Sequence, residues 1–203
     1  MNDDFVCISS SEATHRLVLL HGWGADAQDL IPFGKALIES LEVNFELIAL
    51  RAPNPHPQGF GWQWYGLFPP DWEAVPEAIS DLQERISELA TPSIPLQKTF
   101  VFGFSLGGAM ALAGCCELRL GGLICCSAYP HPKWEPFEQS PSILLLHGRN
   151  DEIVPVSASE EVFKCLKLHQ IEAELLLFNG GHEIPPSLLG DIKNVINKWS
   201  LFN

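Results

Sequence analysis

A serine, an aspartate and a histidine are spaced along this chain in a way that could support hydrolysis. Ser105 lies in the pentapeptide Gly-Phe-Ser-Leu-Gly at residues 103–107, between an apolar run and a segment rich in small residues. A serine hydroxyl is a weak nucleophile at neutral pH and needs a base that a third group orients. Glycines on both sides let a strand and a helix approach closely while the turn exposes the hydroxyl. The pattern therefore predicts a nucleophile at Ser105 rather than a turn that only packs; residues 103–108 are called the nucleophile turn below.

Candidates for the acid and the base follow later in the chain, each just after an apolar run. Asp151 comes first and His182 second, which is the order expected in a hydrolase with a G-x-S-x-G turn. Glu152 and Glu183 are competing carboxylates. Asp151 is the predicted acid because the Ile-Val-Pro after it returns the chain to the core, whereas Glu183 is expected to face solvent.

A second loop could supply the donors that stabilise a negatively charged intermediate. The sequence His-Gly-Trp-Gly at residues 21–24 follows an early apolar run. Such a loop contributes one backbone N–H, and the residue after the nucleophile contributes the other. We therefore predict that the oxyanion hole is formed by the backbone N–H groups of Trp23 and Leu106. The side chains of His21 and His147 are predicted to be structural, His21 as a buried polar bridge that holds its loop.

Short apolar runs alternate with helical patterns along the whole chain. Strands are predicted at 16–20, 46–50, 99–102, 122–126, 142–146 and 173–178, with a weaker one at 5–8, and helices at 28–41, from about 76, at 106–116, at 157–167 and at 186–199. Continuous apolar runs are typical of strands buried on both faces. Alternation with helices predicts a mainly parallel sheet with helices on both faces. In such sheets, sites form at the carboxyl ends of the strands, where the candidate residues stand.

The charge balance argues against an anionic partner. The 203 residues include 12 Lys and Arg against 25 Asp and Glu, a formal net charge of −13, and no basic run occurs. Phosphate binding needs clustered positive charge, so a nucleic acid is not expected as a partner, and an anionic membrane surface is disfavoured.

The cysteines and apolar runs bear on the compartment. Four of the six cysteines form adjacent pairs, at 115–116 and 125–126, among apolar or small residues, which favours buried free thiols over a disulfide framework. The acidic start of the chain does not resemble a signal peptide. No apolar run approaches the roughly 18 residues that span a bilayer. These observations predict a cytoplasmic protein without an integral membrane segment, and no spacing typical of a metal site occurs.

Together, the motifs HGWG, GFSLGG, HGRND and GGHE resemble the α/β-hydrolase superfamily, most closely its phospholipase/carboxylesterase family. The resemblance covers nearly the whole chain and implies one three-layer α/β-hydrolase domain over residues 1–203. It implies a serine hydrolase that cleaves carboxylic esters through an acyl-enzyme, without a metal or other cofactor. An acyl-protein thioesterase, a peptidase of the same fold and a non-catalytic ligand-binding module are the alternatives. Leu106 departs from the glutamine that acyl-protein thioesterases usually carry after the serine.

The substrate side is predicted from the connections between strands. Cap domains of this superfamily usually enter where residues 127–141 stand here, and that stretch is too short for one. An aromatic loop, residues 53–72, could instead form an apolar groove for an acyl chain of a small ester or thioester, or its rings could only pin the loop to the sheet. The predicted substrate contacts are Trp64, Phe68, Ile153 and Ile184.

Overall fold

A seven-stranded sheet forms the centre of the protein, which we describe from a computed structural model over residues 5–201. Its strands are β1 (Phe5–Ile8), β2 (His15–Leu20), β3 (Phe45–Leu50), β6 (Thr99–Phe104), β7 (Gly122–Cys126), β8 (Ile143–Gly148) and β9 (Ala173–Phe178), and the short pair β4 (Asn54–Pro55) and β5 (Trp62–Gln63) forms a separate ladder. The spatial order is β1-β3-β2-β6-β7-β8-β9. Only β1 runs antiparallel to its neighbour within this sheet.

Helices cover both faces of the sheet. They are α1 (Ile31–Ser40), α2 (Val75–Glu88), α3 (Leu106–Cys115), α4 (Val156–Leu168) and α5 (Leu188–Ser200), with short 3₁₀ helices at Ala27–Leu30 and Leu96–Lys98. Apolar residues of α1 and α5 pack on one face, and those of α2, α3 and α4 on the other. The three-layer architecture predicted from the sequence is confirmed.

Both faces of the sheet are buried, so the strands need apolar residues at successive positions. In β2, Leu17 and Leu19 belong to the core under α1 and α5, whereas Val18 and Leu20 belong to the core under α2 and α3. Successive side chains of a strand point to opposite faces, and both faces of this sheet are covered. A polar residue in such a run would therefore need a hydrogen-bond partner inside the core.

The predicted strands and helices are found with small shifts of their ends. The predicted helix at 28–41 is divided, because the 3₁₀ helix capped by Asp26 precedes α1, which carries a proline in its first turn. Residues 127–142 connect β7 to β8 without a helix or strand and form no cap. The first residues, from which no signal peptide was expected, lie outside the described range. Between residues 5 and 201, no helix is long and apolar enough to cross a membrane.

Candidate active site

The nucleophile turn joins β6 to α3 in a conformation that few residues adopt. Ser105 has φ 54° and ψ −118°, and its N–H donates a hydrogen bond to the Cys126 carbonyl of β7 at 2.9 Å. A Cβ on Gly107 would overlap the Leu20 carbonyl oxygen, and one on Gly103 would overlap the Gly107 carbonyl oxygen. Neither position can hold a larger residue without a backbone shift. The tight approach of β2, β6 and α3 fixes the serine at the carboxyl edge of the sheet.

The serine, the histidine and the aspartate form one continuous hydrogen-bonded chain. His182 Nε2 lies 3.0 Å from Ser105 Oγ, and His182 Nδ1 lies 2.8 Å from Asp151 Oδ2. A carboxylate can only accept, so Nδ1 carries the hydrogen, and in the neutral ring Nε2 accepts the serine proton. The Phe104 ring packs against the imidazole with centroids 4.9 Å apart. This is the geometry in which an imidazole can act as base toward a hydroxyl.

Two adjacent loops bring the aspartate and the histidine together. Asp151 follows β8 and His182 follows β9, and these strands are parallel neighbours. The loops are also joined directly, because the Asn150 N–H donates to the Gly180 carbonyl at 3.0 Å. A Cβ on Gly148 would overlap the Gly181 carbonyl oxygen. The close approach of two glycine-containing loops therefore sets the contact between acid and base.

The Asp151 carboxylate is held in its ionised form by hydrogen bonds. Its side chain is buried, and Oδ1 accepts from the N–H groups of Ile153 at 2.9 Å and Val154 at 2.8 Å. Burial by itself raises the pKa of Asp151, but these N–H groups and His182 outweigh that effect and lower the pKa below its ordinary value. The buried negative charge stabilises a positively charged imidazole.

Neither competing carboxylate is paired with the His182 ring. Glu152 and Glu183 are both exposed. The Glu183 carboxylate accepts a hydrogen bond from the Gly181 N–H at 3.3 Å, so it supports its own loop. Among the described acidic residues near the histidine, Asp151 is the one whose carboxylate contacts the ring.

The loop at residues 21–24 runs alongside the nucleophile. A Cβ on Gly22 would lie only 3.4 Å from the Ser105 Cβ, and Gly22 and Trp23 both line the cleft described below. His21 holds this loop from within the core, as predicted, because its Nε2 accepts from the Ala52 N–H at 3.0 Å and its Nδ1 donates to the Gly22 carbonyl at 2.8 Å. The assignment of the Trp23 and Leu106 N–H groups as oxyanion donors stays a prediction.

A cleft of about 380 Å³ opens above the serine. Its walls include the catalytic candidates Ser105 and His182, the apolar residues Trp23, Ala25, Leu30, Leu67, Phe68, Phe104, Ile153 and Ile184, and two carboxylates, Asp29 and Glu183. No lysine or arginine is among the lining residues within the described range. The cleft is therefore suited to an apolar, uncharged group beside the serine.

Three of the four predicted substrate contacts line this cleft. Phe68 is 74% exposed and Ile153 is 69% exposed, while Ile184 is half-buried. The prediction for Trp64 is wrong, because its side chain is only 1% exposed and does not reach the cleft. Its indole N–H donates to the His21 carbonyl at 2.9 Å. A buried indole needs an acceptor for its N–H, and here the acceptor is the backbone of the loop at residues 21–24.

Some residues of the cleft were missed by reasoning from the sequence. Leu30 is an ordinary leucine of a 3₁₀ helix, and nothing in its local sequence marks it, whereas Leu67 belongs to the loop predicted as a groove but was not singled out as a contact. Phe104 could have been found, because the residue before the serine must lie at the mouth of the same turn. Asp29 was hidden by its capping role, in which its carboxylate accepts from the Asp26 N–H at 2.7 Å. No cluster of three or more His, Cys, Asp or Glu suited to a metal occurs in the described part of the chain.

The sheet order, the strained serine turn and the hydrogen-bonded chain together define an α/β-hydrolase. The sequence profile of the phospholipase/carboxylesterase family matches residues 1–200, and the chain belongs to that family of hydrolases.

Individual relatives share only about a quarter of their residues with this chain. The acyl-protein thioesterase 1 of Eremothecium gossypii is 28% identical over 135 residues, covering 60% of this chain and 56% of its own length. The protein of the same name from Yarrowia lipolytica is 25% identical over 188 residues, covering 78% and 83%. Among solved structures, esterase PE8 superposes with a TM-score of 0.85 at 27% identity, covering 96% of this chain and 98% of its own. The matched stretch thus spans little more than half of the first of these relatives.

Proposed function

We propose that this protein is a serine esterase that hydrolyses carboxylic esters with an uncharged acyl chain. The observation that carries the proposal is the chain of contacts from Ser105 Oγ to His182 at 3.0 Å and from His182 to Asp151 at 2.8 Å. These contacts stand at the floor of an apolar cleft. Membership of the phospholipase/carboxylesterase family supports the same conclusion.

The proposed reaction has two half-reactions. Ser105 Oγ attacks the acyl carbon while its proton moves to His182 Nε2, and the carbonyl oxygen becomes an oxyanion facing the N–H groups of Trp23 and Leu106. Collapse of this intermediate expels the alcohol, which takes the proton from His182. A water molecule, deprotonated by His182, then attacks the acyl-serine; as the bond to Ser105 Oγ breaks, Oγ takes the proton back from His182 and the carboxylic acid is released. Asp151 keeps the proton on His182 Nδ1 throughout and stabilises the imidazolium.

A fluorophosphonate probe tests the nucleophile directly. We expect the native protein to be labelled at one site, and Ser105→Ala to lose both the label and the hydrolysis of p-nitrophenyl butyrate. Ser187→Ala is the matched control, because Ser187 is exposed at the start of α5, and it should behave as the native protein does. Labelling of Ser105→Ala equal to that of the native protein would exclude the serine-enzyme mechanism. Absence of labelling in the native protein would instead favour the non-catalytic module.

Thioester hydrolysis is the second candidate, since the curated relatives are named acyl-protein thioesterases. The proposed acyl-enzyme is identical for an ester and a thioester of the same acid, so the two substrates differ only in acylation. The test compares kcat/KM for an oxygen ester and a thioester of the same acyl chain. A thioester preference of more than about tenfold, equal to about 1.4 kcal/mol of transition-state stabilisation, would make the thioesterase the better description.

We further propose that residues 1–203 act as one domain in a reducing compartment, the cytoplasm. Both hydrophobic cores lie against the same sheet. Cys115, Cys116, Cys125 and Cys126 are buried and unpaired, and burial raises the pKa of Cys116 and of Cys126 to about 12. Such thiols are inert structural side chains. A thiol titration of the denatured, unreduced protein should count all six cysteines, and a lower count would contradict the assignment.

A further inference from the structure

A second histidine lies beside the catalytic carboxylate, near the same oxygen, Oδ2, that His182 contacts. His147 is the penultimate residue of β8, its side chain is fully buried, and its Nε2 lies 3.5 Å from Asp151 Oδ2. We infer that His147 is a positioning residue that, through Val154, holds the Asp151 carboxylate in place against His182. The inference rests on the proposed function, in which Asp151 orients the catalytic imidazole.

The contacts of His147 point to the backbone of the acid turn more than to the carboxylate itself. Its Nε2 lies 2.9 Å from the Val154 carbonyl oxygen, a shorter distance than the 3.5 Å to Asp151. A carbonyl only accepts, so the hydrogen resides on Nε2 and is donated to Val154. The N–H of the same residue, Val154, donates to Asp151 Oδ1 at 2.8 Å. One residue of the turn is thus bound by His147 at its carbonyl and by Asp151 at its amide.

The other side of the imidazole is fixed by helix α4. His147 Nδ1 lies 2.6 Å from Ser159 Oγ, and Ser159 is fully buried. In the neutral ring with its hydrogen on Nε2, Nδ1 accepts the Ser159 hydroxyl proton. The Val154 carbonyl therefore sets the tautomer of His147, and the Ser159 hydroxyl holds the other side of its ring. The order of contacts is Ser159 to His147, His147 to Val154, and Val154 to Asp151.

The contacts from Ser159 to Asp151 matter for catalysis because the Val154 N–H is one of the two backbone donors to Asp151 Oδ1. If Nε2 no longer binds the Val154 carbonyl, that carbonyl is buried without this donor and the turn relaxes to satisfy it. The Val154 N–H then moves relative to Oδ1, and Oδ2 loses its aim at His182 Nδ1. Substrate binding in the cleft does not involve His147, so the effect falls on kcat and leaves KM unchanged.

The test uses His147→Leu, which removes both hydrogen bonds at similar volume, and His147→Gln, whose amide N–H can reach the Val154 carbonyl. His169→Leu and His169→Gln are matched controls, since His169 is exposed on the surface. We expect His147→Leu to lower kcat for p-nitrophenyl butyrate by about 10–100-fold. Losses of this size are typical when a residue that orients a metal ligand by a hydrogen bond is replaced. KM should stay within about twofold, and His147→Gln should recover most of the lost kcat. The downfield proton resonance of His182 Nδ1–H should disappear or shift in His147→Leu and persist in both controls.

Several results would overturn the inference. One is a folded His147→Leu protein whose kcat matches that of His169→Leu. Another is a folded His147→Gln protein that is as slow as His147→Leu. If His147→Leu does not fold, Ser159→Ala decides: a fall in kcat of about threefold to tenfold at constant KM, as expected for one lost buried hydrogen bond, supports the inference, and native kcat overturns it. Failure of the proposed function looks different, because the native protein would then neither hydrolyse the ester nor take the fluorophosphonate label.

Discussion

The nucleophile turn and the aromatic loop both line the same cleft, but they are built in different ways. In the nucleophile turn, backbone contacts among β2, β6 and α3 leave no space for a side chain at Gly103 or Gly107. In the aromatic loop, residues 53–72, rings of similar size have opposite fates, since Trp64 is 1% exposed and Phe68 is 74% exposed.

The difference shows which kind of geometry a local pattern can specify. The residues of the nucleophile turn lie within six positions of one another, and its glycines mark where the chain must approach backbone from β2 and α3, so the motif indicates the turn although the Leu20 and Cys126 carbonyls that complete it are distant in the chain. The aromatic loop is fixed by partners far away in the chain, such as the Tyr65 hydroxyl on His131 Nε2 at 2.9 Å and the Trp64 N–H on the His21 carbonyl at 2.9 Å. Density of aromatic residues therefore indicates a loop that packs, and says little about which ring meets a substrate.

Loss of the base should produce the largest effect. We expect His182→Ala to lower kcat/KM for p-nitrophenyl butyrate by about 10⁴–10⁶-fold, the range found when a triad member is removed. Because His182 is partly exposed at the cleft, thermal unfolding should change little. His56→Ala, in the aromatic loop, should have the opposite profile, with activity largely kept and stability reduced. Equal activity losses in the two variants would remove the distinction between the two regions.

Glycine substitutions test the backbone of the nucleophile turn and the backbone of the aromatic loop. Gly107→Ala should destabilise the protein by more than about 4 kcal/mol, a size reserved for severe steric or burial defects, because its Cβ would overlap the Leu20 carbonyl. Gly59→Ala meets no atom within 4 Å but has φ +79°, so it should cost only about 1–2 kcal/mol. Urea unfolding measures both, and similar values would contradict the comparison.

Removal of the buried Trp64 ring should reduce stability far more than removal of the exposed Phe68 ring. Trp64→Ala should reduce the free energy of unfolding by about 3–5 kcal/mol, while Phe68→Ala should stay within about 0.5 kcal/mol, as exposed positions usually do. Chemical denaturation of the two variants checks this. If both are equally stable, Trp64 does not anchor the aromatic loop.

Acid should loosen the anchor of the aromatic loop. Burial lowers the pKa of His131 from its ordinary value of 6.5 to about 4, so the unfolded chain takes up this proton more readily than the folded one. The associated stability is complete above pH 6.5 and declines as the pH falls toward 4, by about 3 kcal/mol in all at about 1.4 kcal/mol per pH unit. His131→Gln should flatten this part of the pH dependence. An unchanged slope in that variant would assign the acid sensitivity to other groups.

The smallest expected effect concerns the outer wall of the cleft. Phe68→Ala should lower kcat/KM for p-nitrophenyl octanoate by about threefold to tenfold, since a modest apolar contact contributes roughly 1 kcal/mol, and should leave the acetate ester unaffected. Comparison of the two esters isolates the acyl contact. Equal changes for both chain lengths would show that Phe68 does not contact the acyl group.

Much of the site could be predicted from the chain because its parts are local. Ser105 follows β6 directly, Asp151 and His182 lie in the loops just after β8 and β9, and parallel strands deliver their carboxyl ends to one edge of the sheet. Their order therefore indicated the contacts that the structure has at 3.0 and 2.8 Å. Trp64 was misjudged and Leu30 was missed, because the direction of a side chain in a loop or short helix depends on distant partners.

The amino-acid sequence by itself determined the layered fold, the strained serine turn and the identity of the candidate triad. These follow from apolar periodicity, from glycines where backbones touch, and from residues at strand ends, all of which are short-range properties. Only the tertiary structure decided which rings line the cleft, how backbone N–H groups hold the Asp151 carboxylate, and that His147 contacts Val154 of the acid turn. Those features depend on pairs of residues from different elements, whose distances are set by the packing of the whole sheet.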